Sequence, residues 1–311
     1  MNRLISTTLA AVILCLAGVG AQPSPLVTDV RAAITANDFA QATKVIATYR
    51  TQKGVTAEML EALSWMGRGA LAAKDLDGAD KYARETYQLS TAMLKTRSLD
   101  QDARLPIALG AAIEVLGQVE AQRGARSEAV TFLRKDAATY KGTSIEKRIQ
   151  KNINLLSMEG QPAPVIDVAE YLGPKPPSLA ELKGKVVVLF FWAHWCSDCK
   201  TQGPILAELA AKYRDRGLVV FAPTQRFGYV AGGKPAPADV EMRYIDEVRQ
   251  QFYPVLAGQP VPVSEATHLR YGVSSTPTLV LVDRAGLIRL YNPGRMTMEQ
   301  LEPRIKSLLA T

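Results

Sequence analysis

Two cysteines, Cys196 and Cys199, are the residues of this sequence whose type and spacing point most directly to chemistry. With two residues between them, both sulfur atoms lie within about one helical turn and can form a disulfide. The preceding run, residues 186–192, is short, β-branched and aromatic, which predicts a fully buried strand. The residues that follow are apolar at helical spacing: Ile205, Leu206, Leu209, Ala210 and Tyr213. The pair is therefore predicted at a junction between a strand and a helix.

This position has consequences for the sulfur chemistry. The N-terminus of a helix carries partial positive charge and free N–H groups, both of which stabilise a thiolate. The thiolate is the nucleophile of thiol–disulfide exchange. We expect Cys196 to be the more exposed sulfur and to attack first. Cys199, one turn into the helix, is then expected to resolve the mixed disulfide.

A zinc site is the main alternative for a pair of cysteines at this spacing, because the same pattern forms half of many structural sites. Zinc in such sites takes about four protein ligands. The chain has one further cysteine, Cys15, in its N-terminal segment, and two histidines, His194 and His268. The sequence therefore predicts no metal site.

The residues around the pair resemble the active site of the thioredoxin superfamily, in particular that of the TlpA/ResA-like, redoxin-type thiol-disulfide oxidoreductases. The matching positions are Phe191, Trp192, Ala193, Trp195, Cys196, Cys199, Lys200, Pro204 and the segment 271–279. The resemblance extends over residues 160–311. It implies an α/β thioredoxin-like fold for this part of the chain. It also implies a redox-active Cys196–Cys199 disulfide and no bound cofactor.

The resemblance implies a substrate-binding surface as well. In the family, the proline at the position of Pro277 has a cis peptide bond and faces the cysteines, and a cis proline is a placed feature of a fold. The backbone before it, at Thr276, pairs with an extended segment of the substrate. Trp195, which directly precedes the first cysteine, is expected to shield the sulfurs and to contact substrate.

Three side chains near the cysteines are candidates for tuning their reactivity: His194, Asp198 and Gln202. A carboxylate at Asp198 disfavours a thiolate, whereas a protonated His194 would favour one. We favour a surface histidine without a role as the interpretation of His194. Gln202 stands where some ResA-like proteins carry a glutamate, and Phe190 stands where thioredoxins carry a buried aspartate. The proton acceptor for Cys199 is therefore open, with water and His194 as candidates, and so is the direction of electron flow.

Length and composition set broader limits. The chain has 311 residues, enough for about two domains, and its 47% hydrophobic and 22% charged residues are typical of a globular protein. The formal charge is +7, but lysine and arginine are spread along the chain without a long basic run. We therefore predict no nucleic-acid partner.

The N-terminal segment has the pattern of a secretory signal peptide. A positive start at residues 1–3 precedes an uncharged stretch, residues 4–21, that has an apolar centre and ends in small residues. Cleavage is predicted before Gln22, although an uncleaved membrane anchor is the alternative. An exported, periplasmic or extracytoplasmic protein is expected. An oxidising compartment also suits a mature chain whose cysteines are one redox pair.

Residues 22–158 are rich in alanine, leucine and charged side chains and predict an all-α domain. Three helix–loop–helix units are predicted, with Ala42, Ala79 and Ala129 at the helix contacts. The second and third units resemble degenerate tetratricopeptide repeats. Two interpretations stay open. The helices form a concave surface for a protein partner, or they only stabilise and space the redox domain. Prolines at residues 161–164 mark the predicted boundary with a second domain, residues 159–311.

The predicted order of the second domain is β, α, β, α, β, β, α, preceded by an additional N-terminal element. Residues 165–171 are predicted as a weak first strand, and residues 254–256 as a short extended piece. Residues 224–239 are predicted as a long loop that we interpret as a tolerated insertion rather than a substrate gate.

These observations predict an exported thiol-disulfide oxidoreductase, with a reductase favoured over an oxidase. Its expected partners are protein thiols or disulfides and an upstream redox donor. Contact with a membrane is expected only if the N-terminal segment is uncleaved. The alternative is a helical scaffold with a vestigial or regulatory redox centre. A thiol peroxidase is disfavoured because Ala193 stands where peroxidatic sites of this superfamily have a threonine.

Overall fold

The computed structural model describes residues 24–311, and the N-terminal half of this part is helical. Its helices are α1 (Pro25–Thr35), α2 (Phe39–Lys53), α3 (Ala57–Ala72), α4 (Leu76–Met93), α5 (Leu105–Gln122), α6 (Arg126–Thr139) and α7 (Glu146–Ser157). The loops at 36–38, 73–75 and 123–125 coincide with the turns predicted from small and polar residues. The all-α prediction for this half is confirmed.

Capping side chains set where four of these helices begin. Ser24, Asp38, Thr56 and Asp75 each lie at an N-cap and accept a hydrogen bond from the backbone N–H three residues later. Such caps satisfy a donor that the helix itself cannot pair. The start of each of these four helices is therefore set by a single capping residue at that position in the sequence.

Small residues bring neighbouring helices close together. A methyl group at Gly67 of α3 would lie 3.5 Å from the backbone nitrogen of Ala83 in α4. The three alanines predicted at helix contacts, Ala42, Ala79 and Ala129, are fully buried. The classification of these helices as tetratricopeptide repeats stays a prediction.

The C-terminal half combines strands and helices around one mixed sheet. Its elements are β1 (Tyr171–Leu172), β2 (Val186–Phe191), α8 (Ser197–Tyr213), β3 (Leu218–Phe221), β4 (Tyr229–Val230), β5 (Lys234–Pro235), α9 (Ala238–Phe252), β6 (Val261–Pro262), α10 (Glu265–Arg270), β7 (Thr278–Val282), β8 (Ile288–Pro293) and α11 (Met298–Ala310). The main sheet has the order β3-β2-β7-β8, in which β2 is parallel to β3 and antiparallel to β7. The expected thioredoxin-like fold of this half is confirmed.

Strand β2 is buried on both faces, as its unbroken apolar sequence predicts. Successive side chains of a strand point to opposite faces. Its even-numbered residues, such as Phe190, belong to the core formed with α8, α9 and α11. Its odd-numbered residues, such as Phe191, pack with Tyr271 and the segment before β1. This double burial holds the end of β2 rigidly at the place where the cysteines follow.

Two of the predicted elements are wrong. Residues 165–170 are not a strand, and of the predicted range only Tyr171 belongs to one, β1. The chain pairs with the start of β8 and the turn before it only at residues 160–163, and Pro162 and Pro164 lack the N–H groups needed to extend the ladder. Residues 254–256 are a 3₁₀ turn and not an extended piece. Pro254 occupies its first position, where the fixed φ of proline suits a helical turn. In addition, the predicted loop 224–239 contains the short β4–β5 hairpin.

Helix α7 joins the two halves by packing against the chain that leads into β7. Gly272 has φ +59°, and a methyl group there would lie 2.4 Å from the backbone nitrogen of Lys151. Nearby, Lys147 Nζ lies 3.1 Å from Glu265 Oε1 and 3.2 Å from Gln225 Oε1. The helical half therefore touches the redox half at the base of the loop that carries Pro277.

Within residues 24–311, none of the helices is both long enough and apolar enough to cross a membrane. The predicted signal peptide, residues 1–21, and Cys15 lie outside the described residues.

Candidate active site

Cys196 and Cys199 lie at the predicted junction and are joined by a disulfide, with their Cα atoms 5.3 Å apart. Cys196 is the N-cap residue of α8, and its sulfur accepts a hydrogen bond from the backbone N–H of Cys199 at 3.0 Å. Cys196 is 3% exposed, and Cys199 is completely buried. The sulfur of Cys196 is therefore the one that a partner can reach, and it lies at the positive end of the helix.

The connection from β2 to these cysteines is fixed by the neighbouring strand. Thr224, just after β3, donates its hydroxyl hydrogen to the carbonyl oxygen of Trp192 at 2.8 Å. The indole N–H of Trp192 donates to the carbonyl oxygen of Ala222 at 3.1 Å. Because parallel strands end at the same edge of a sheet, these bonds place the cysteines at the carboxyl edge, where open α/β folds bind ligands.

The peptide bond between Thr276 and Pro277 is cis, as the resemblance implied. Thr278, the next residue, pairs with Phe191 at the end of β2, so this loop and the cysteines share one edge of the sheet. Ser274 and Ser275, which precede Thr276, are exposed. The structure thus brings the cysteines and the predicted substrate-binding loop to the same edge.

Exposed aromatic surface surrounds the cysteines. Trp195 is 50% exposed, and its ring meets that of Phe227 edge-on at 5.6 Å. Phe252 is partly exposed under the ammonium group of Lys200, which lies 3.8 Å from the ring centre. Large exposed apolar groups beside a reactive sulfur are suited to contact with another protein.

His194 is not a surface residue, so our interpretation of it is wrong. Its side chain is 1% exposed, and its Nε2 lies 3.4 Å from Oε1 of an equally buried carboxylate, Glu241. The rings of Phe227, Tyr229 and Tyr244 pack edge-on against the imidazole at 5.2–5.4 Å. The histidine is buried because residues 227–229 of the predicted loop and α9 close over it.

Glu241 is the functional candidate that the sequence did not reveal. Besides facing His194, it accepts hydrogen bonds from the backbone N–H groups of Phe227 and Gly228. In the sequence it is an acidic residue in the first turn of a helix, a pattern that ordinarily marks a solvated, dipole-compensating side chain. No local signal distinguishes this glutamate from its neighbour Asp239, which is exposed.

Burial lowers the pKa of His194 more than the charge of Glu241 raises it, and Lys200 lowers that pKa further. At neutral pH the imidazole is therefore uncharged and has a free lone pair. A neutral imidazole two residues before Cys196 can accept a proton, whereas it cannot stabilise a thiolate by charge.

The other two tuning candidates have separate environments. Asp198 lies in the exposed first turn of α8, and its Oδ1 is 3.3 Å from Nε of Arg295. Gln202 is fully buried, and its Oε1 accepts a hydrogen bond from the backbone N–H of Met296 at 2.9 Å. Gln202 therefore anchors the loop before α11, while Asp198 remains the charge nearest in sequence to Cys196.

Residues 160–291 match the model of the AhpC/TSA family. The thioredoxin-like protein YneN of Bacillus subtilis is 29% identical over 147 residues, which are 47% of this chain and 78% of the relative. A thiol-disulfide oxidoreductase ResA of Bacillus cereus is 30% identical over 145 residues, which are 46% of this chain and 74% of the relative.

Among solved structures, the exposed lipoprotein thioredoxin of Streptococcus pneumoniae is 28% identical to this chain. The match covers 48% of this chain and all of the other, with a TM-score of 0.35.

Proposed function

The chain belongs to the ResA-like family of thiol-disulfide oxidoreductases, and we propose that it works outside the cytoplasm as a reductase of disulfides in other proteins. The observation that carries this proposal is the position of Cys196 at the N-cap of α8. There its sulfur accepts the N–H of Cys199. A sulfur so placed is the attacking nucleophile when the pair is reduced.

The reaction follows from the two sulfurs. The Cys196 thiolate attacks one sulfur of a substrate disulfide, which forms a mixed disulfide and releases the other substrate sulfur as a thiolate that takes up a proton. Cys199 then loses its proton and attacks the sulfur of Cys196. This step releases the second substrate thiol and forms the Cys196–Cys199 disulfide. Two electrons pass to the substrate, and a dithiol donor returns the pair to its reduced state.

Asp198 supports the reducing direction. A stabilised thiolate favours the reduced form of a pair and makes it an oxidant. The carboxylate of Asp198 opposes such stabilisation at Cys196. It thereby makes the pair a better electron donor, although exposure and Arg295 weaken the effect.

The reduction potential of the Cys196–Cys199 pair tests the proposal. The purified chain is equilibrated in glutathione and dithiothreitol buffers, and the thiols are trapped and counted. A value near about −270 mV or lower supports a reductase, whereas one near about −120 mV indicates a disulfide donor. Absence of a reversible two-electron transition would contradict both.

The scaffold alternative is tested separately, with a variant in which Cys196 and Cys199 are both serine. The substitution removes every exchange reaction through this site. Loss of disulfide reduction is expected. Full retention of the cellular phenotype and of partner binding by this variant would favour the scaffold.

We also propose export through the N-terminal segment, on the basis of its signal-peptide pattern. Mass determination of the protein from its host distinguishes the outcomes. A mature N-terminus at Gln22 supports cleavage, and an intact Met1 in the membrane fraction supports an anchor.

A further inference from the structure

A charged cleft separates the helical half from the loop that carries Pro277. It has a volume of about 540 Å³, and its walls come from α3, α5, α7 and the chain before β7. The residues that matter for its chemistry are Arg68, Glu114, Arg148, Lys151, Ser274 and Ser275. Neither half of the chain forms this cleft alone.

Cations outnumber anions among these residues. Glu114 binds two of the three cations, with 2.7 Å to Arg148 Nε and 2.8 Å to Lys151 Nζ. Burial would raise the pKa of Glu114, but these two cations lower it to about 2, so the carboxylate stays charged. With three cations and one carboxylate, the cleft carries an excess of positive charge.

Arg68 supplies the cation that Glu114 does not neutralise. Its guanidinium stacks on the ring of Trp65, 4.5 Å from the ring centre, and Arg31 stacks on the same ring at 4.3 Å. Within residues 24–311, the buried Nε of Arg68 has no hydrogen-bond acceptor. The nearby carboxylate of Glu61 is engaged by Arg104 at 2.6 Å. The stacking on Trp65 holds the guanidinium of Arg68 in place and leaves its Nε–H group able to donate a hydrogen bond to a ligand.

The cleft is continuous with the candidate substrate-binding loop. Ser274 and Ser275 line it, are exposed and directly precede Thr276 and Pro277. Two residues of extended chain span at most ~7 Å. The contact of Gly272 with α7 fixes this loop against the helical half. An extended peptide that lies along the loop therefore reaches the cleft within a few residues.

We propose that this cleft binds an acidic segment of the protein substrate, adjacent to the disulfide that Cys196 attacks; the inference rests on the proposed function. Arginine and lysine side chains form their strongest hydrogen bonds with carboxylates. The occupant is a peptide because the cleft continues a loop that runs to the redox centre. The helical half thus contributes specificity for acidic sequences near the target cysteine.

The test compares two disulfide peptides that differ only near the disulfide, where one has two aspartates and the other has two asparagines. The full chain in its reduced form is the enzyme, and kcat/KM is measured for both peptides. We expect the wild-type protein to prefer the acidic peptide about tenfold. Arg68→Gln and Lys151→Gln should each reduce this ratio severalfold, and the loss should be carried by KM.

The matched control is Arg304→Gln, which removes an exposed cation from α11, away from the cleft. This variant should keep the wild-type ratio. Thermal unfolding of each variant checks that the fold is intact, and Lys151→Gln serves if the half-buried Arg68 proves necessary for folding. Equal kcat/KM for both peptides in the wild-type protein, or an unchanged ratio in both cleft variants, would overturn the inference.

A binding measurement separates this inference from the proposed function. Fluorescence anisotropy of a labelled acidic peptide without cysteines reports on the cleft alone, even if the protein reduces no disulfide. Weaker binding by Arg68→Gln and Lys151→Gln supports the inference. Equal affinity of all variants for the peptide, or displacement of the peptide by an equal concentration of inorganic phosphate, contradicts it. The latter result would indicate a site for small anions.

Discussion

At the scale of single residues, His194 and Glu241 provide a candidate for the group that accepts the proton of Cys199. Phe190 and Gln202 stand where related proteins carry acids, and neither accepts a proton. His194 is buried, neutral at pH 7 and two residues from Cys196. It is therefore the candidate base for the step in which Cys199 loses its proton, with Glu241 as the group that orients its ring.

We expect His194→Phe to slow the resolving step about tenfold at pH 7, because a general base is lost while the aromatic packing is retained. Because the pKa of His194 lies below the ordinary imidazole value of about 6.5, the base is lost only in acid, and the wild-type rate should stay level from pH 8 down to about 6.5. The variant should regain rate towards pH 9, where solvent hydroxide replaces the base. Stopped-flow tryptophan fluorescence between pH 5 and 9 measures both profiles.

Tyr244→Phe is the control for this experiment, since it keeps a ring beside the imidazole and removes only a hydroxyl. It should retain the wild-type profile. Parallel pH profiles for wild-type protein and His194→Phe would exclude the histidine as the base.

Asp198→Asn tests the electrostatic argument for the reducing direction. Removal of the carboxylate stabilises the Cys196 thiolate, so the reduction potential should rise. An exposed charge with a partner has a weak effect, and we expect about 10–20 mV. Equilibration with glutathione measures the shift.

Two variants provide controls for the change at Asp198. Asp239→Asn removes an exposed carboxylate from the first turn of another helix and should leave the potential unchanged. Arg295→Gln should move the potential in the opposite direction, because it frees the charge of Asp198. A lower potential in Asp198→Asn would refute the argument.

At the scale of elements, sequence patterns placed β2, α8 and α9 well because each carries its own periodicity or its own boundary residues. The two wrong predictions are residues 165–170, where strand formation needs a partner from another part of the chain, and residues 254–256, where Pro254 starts a helical turn. Local sequence does not determine which strand a segment pairs with. The close packing of α7 on Gly272 is likewise a contact between distant segments.

Gly272→Ala should destabilise the protein strongly, by at least about 3 kcal/mol, because the new methyl group collides with the backbone of α7. The control is Gly286→Ala, since Gly286 also has positive φ but has open space around the added methyl group. Gly286→Ala should lower the free energy of unfolding by only about 1–2 kcal/mol, through backbone strain. Denaturant unfolding of both variants measures the difference, and equal losses would contradict the collision.

At the scale of the whole molecule, burial of charge-capable groups links stability to pH. His268 is 1% exposed, its Nδ1 lies 3.0 Å from the carbonyl oxygen of Ser264, and its ring meets that of Phe191 edge-on. Burial, and to a smaller extent the charge of Lys147, lowers the pKa of His268 to about 3, although the hydrogen bond to Ser264 opposes this shift. The unfolded chain protonates this histidine at about pH 6.5, whereas the folded chain does not.

Because the folded pKa is depressed, the stability associated with neutral His268 is present above about pH 6.5 and is lost as the pH falls towards 3. Titration of His268 can lower the free energy of unfolding by at most about 1.4 kcal/mol per pH unit. His268→Leu loses the hydrogen bond to Ser264 and should be less stable than the wild-type protein at pH 8, but it should lose less stability on acidification because it has no group to titrate.

Urea unfolding at pH 8, 6 and 4 measures this comparison. The gap between wild-type protein and His268→Leu should narrow as the pH falls. A constant gap would show that the histidine does not titrate differently in the folded and unfolded chain. Other groups also titrate in this range, but they are common to both proteins and cancel in the difference.

Local sequence predicts the cysteine pair, its strand-to-helix junction and the helical nature of the first half, because each rests on residues close together in the chain. The cis peptide bond before Pro277 followed from the resemblance to the family. Tertiary packing is what buries His194 against Glu241 and brings Arg68 and Ser275 to the lining of one cleft. Burial and charge pairing depend on which distant segments pack together. The periodicity of apolar residues predicts which face of a helix or strand a side chain lies on, but not which distant segment packs against that face.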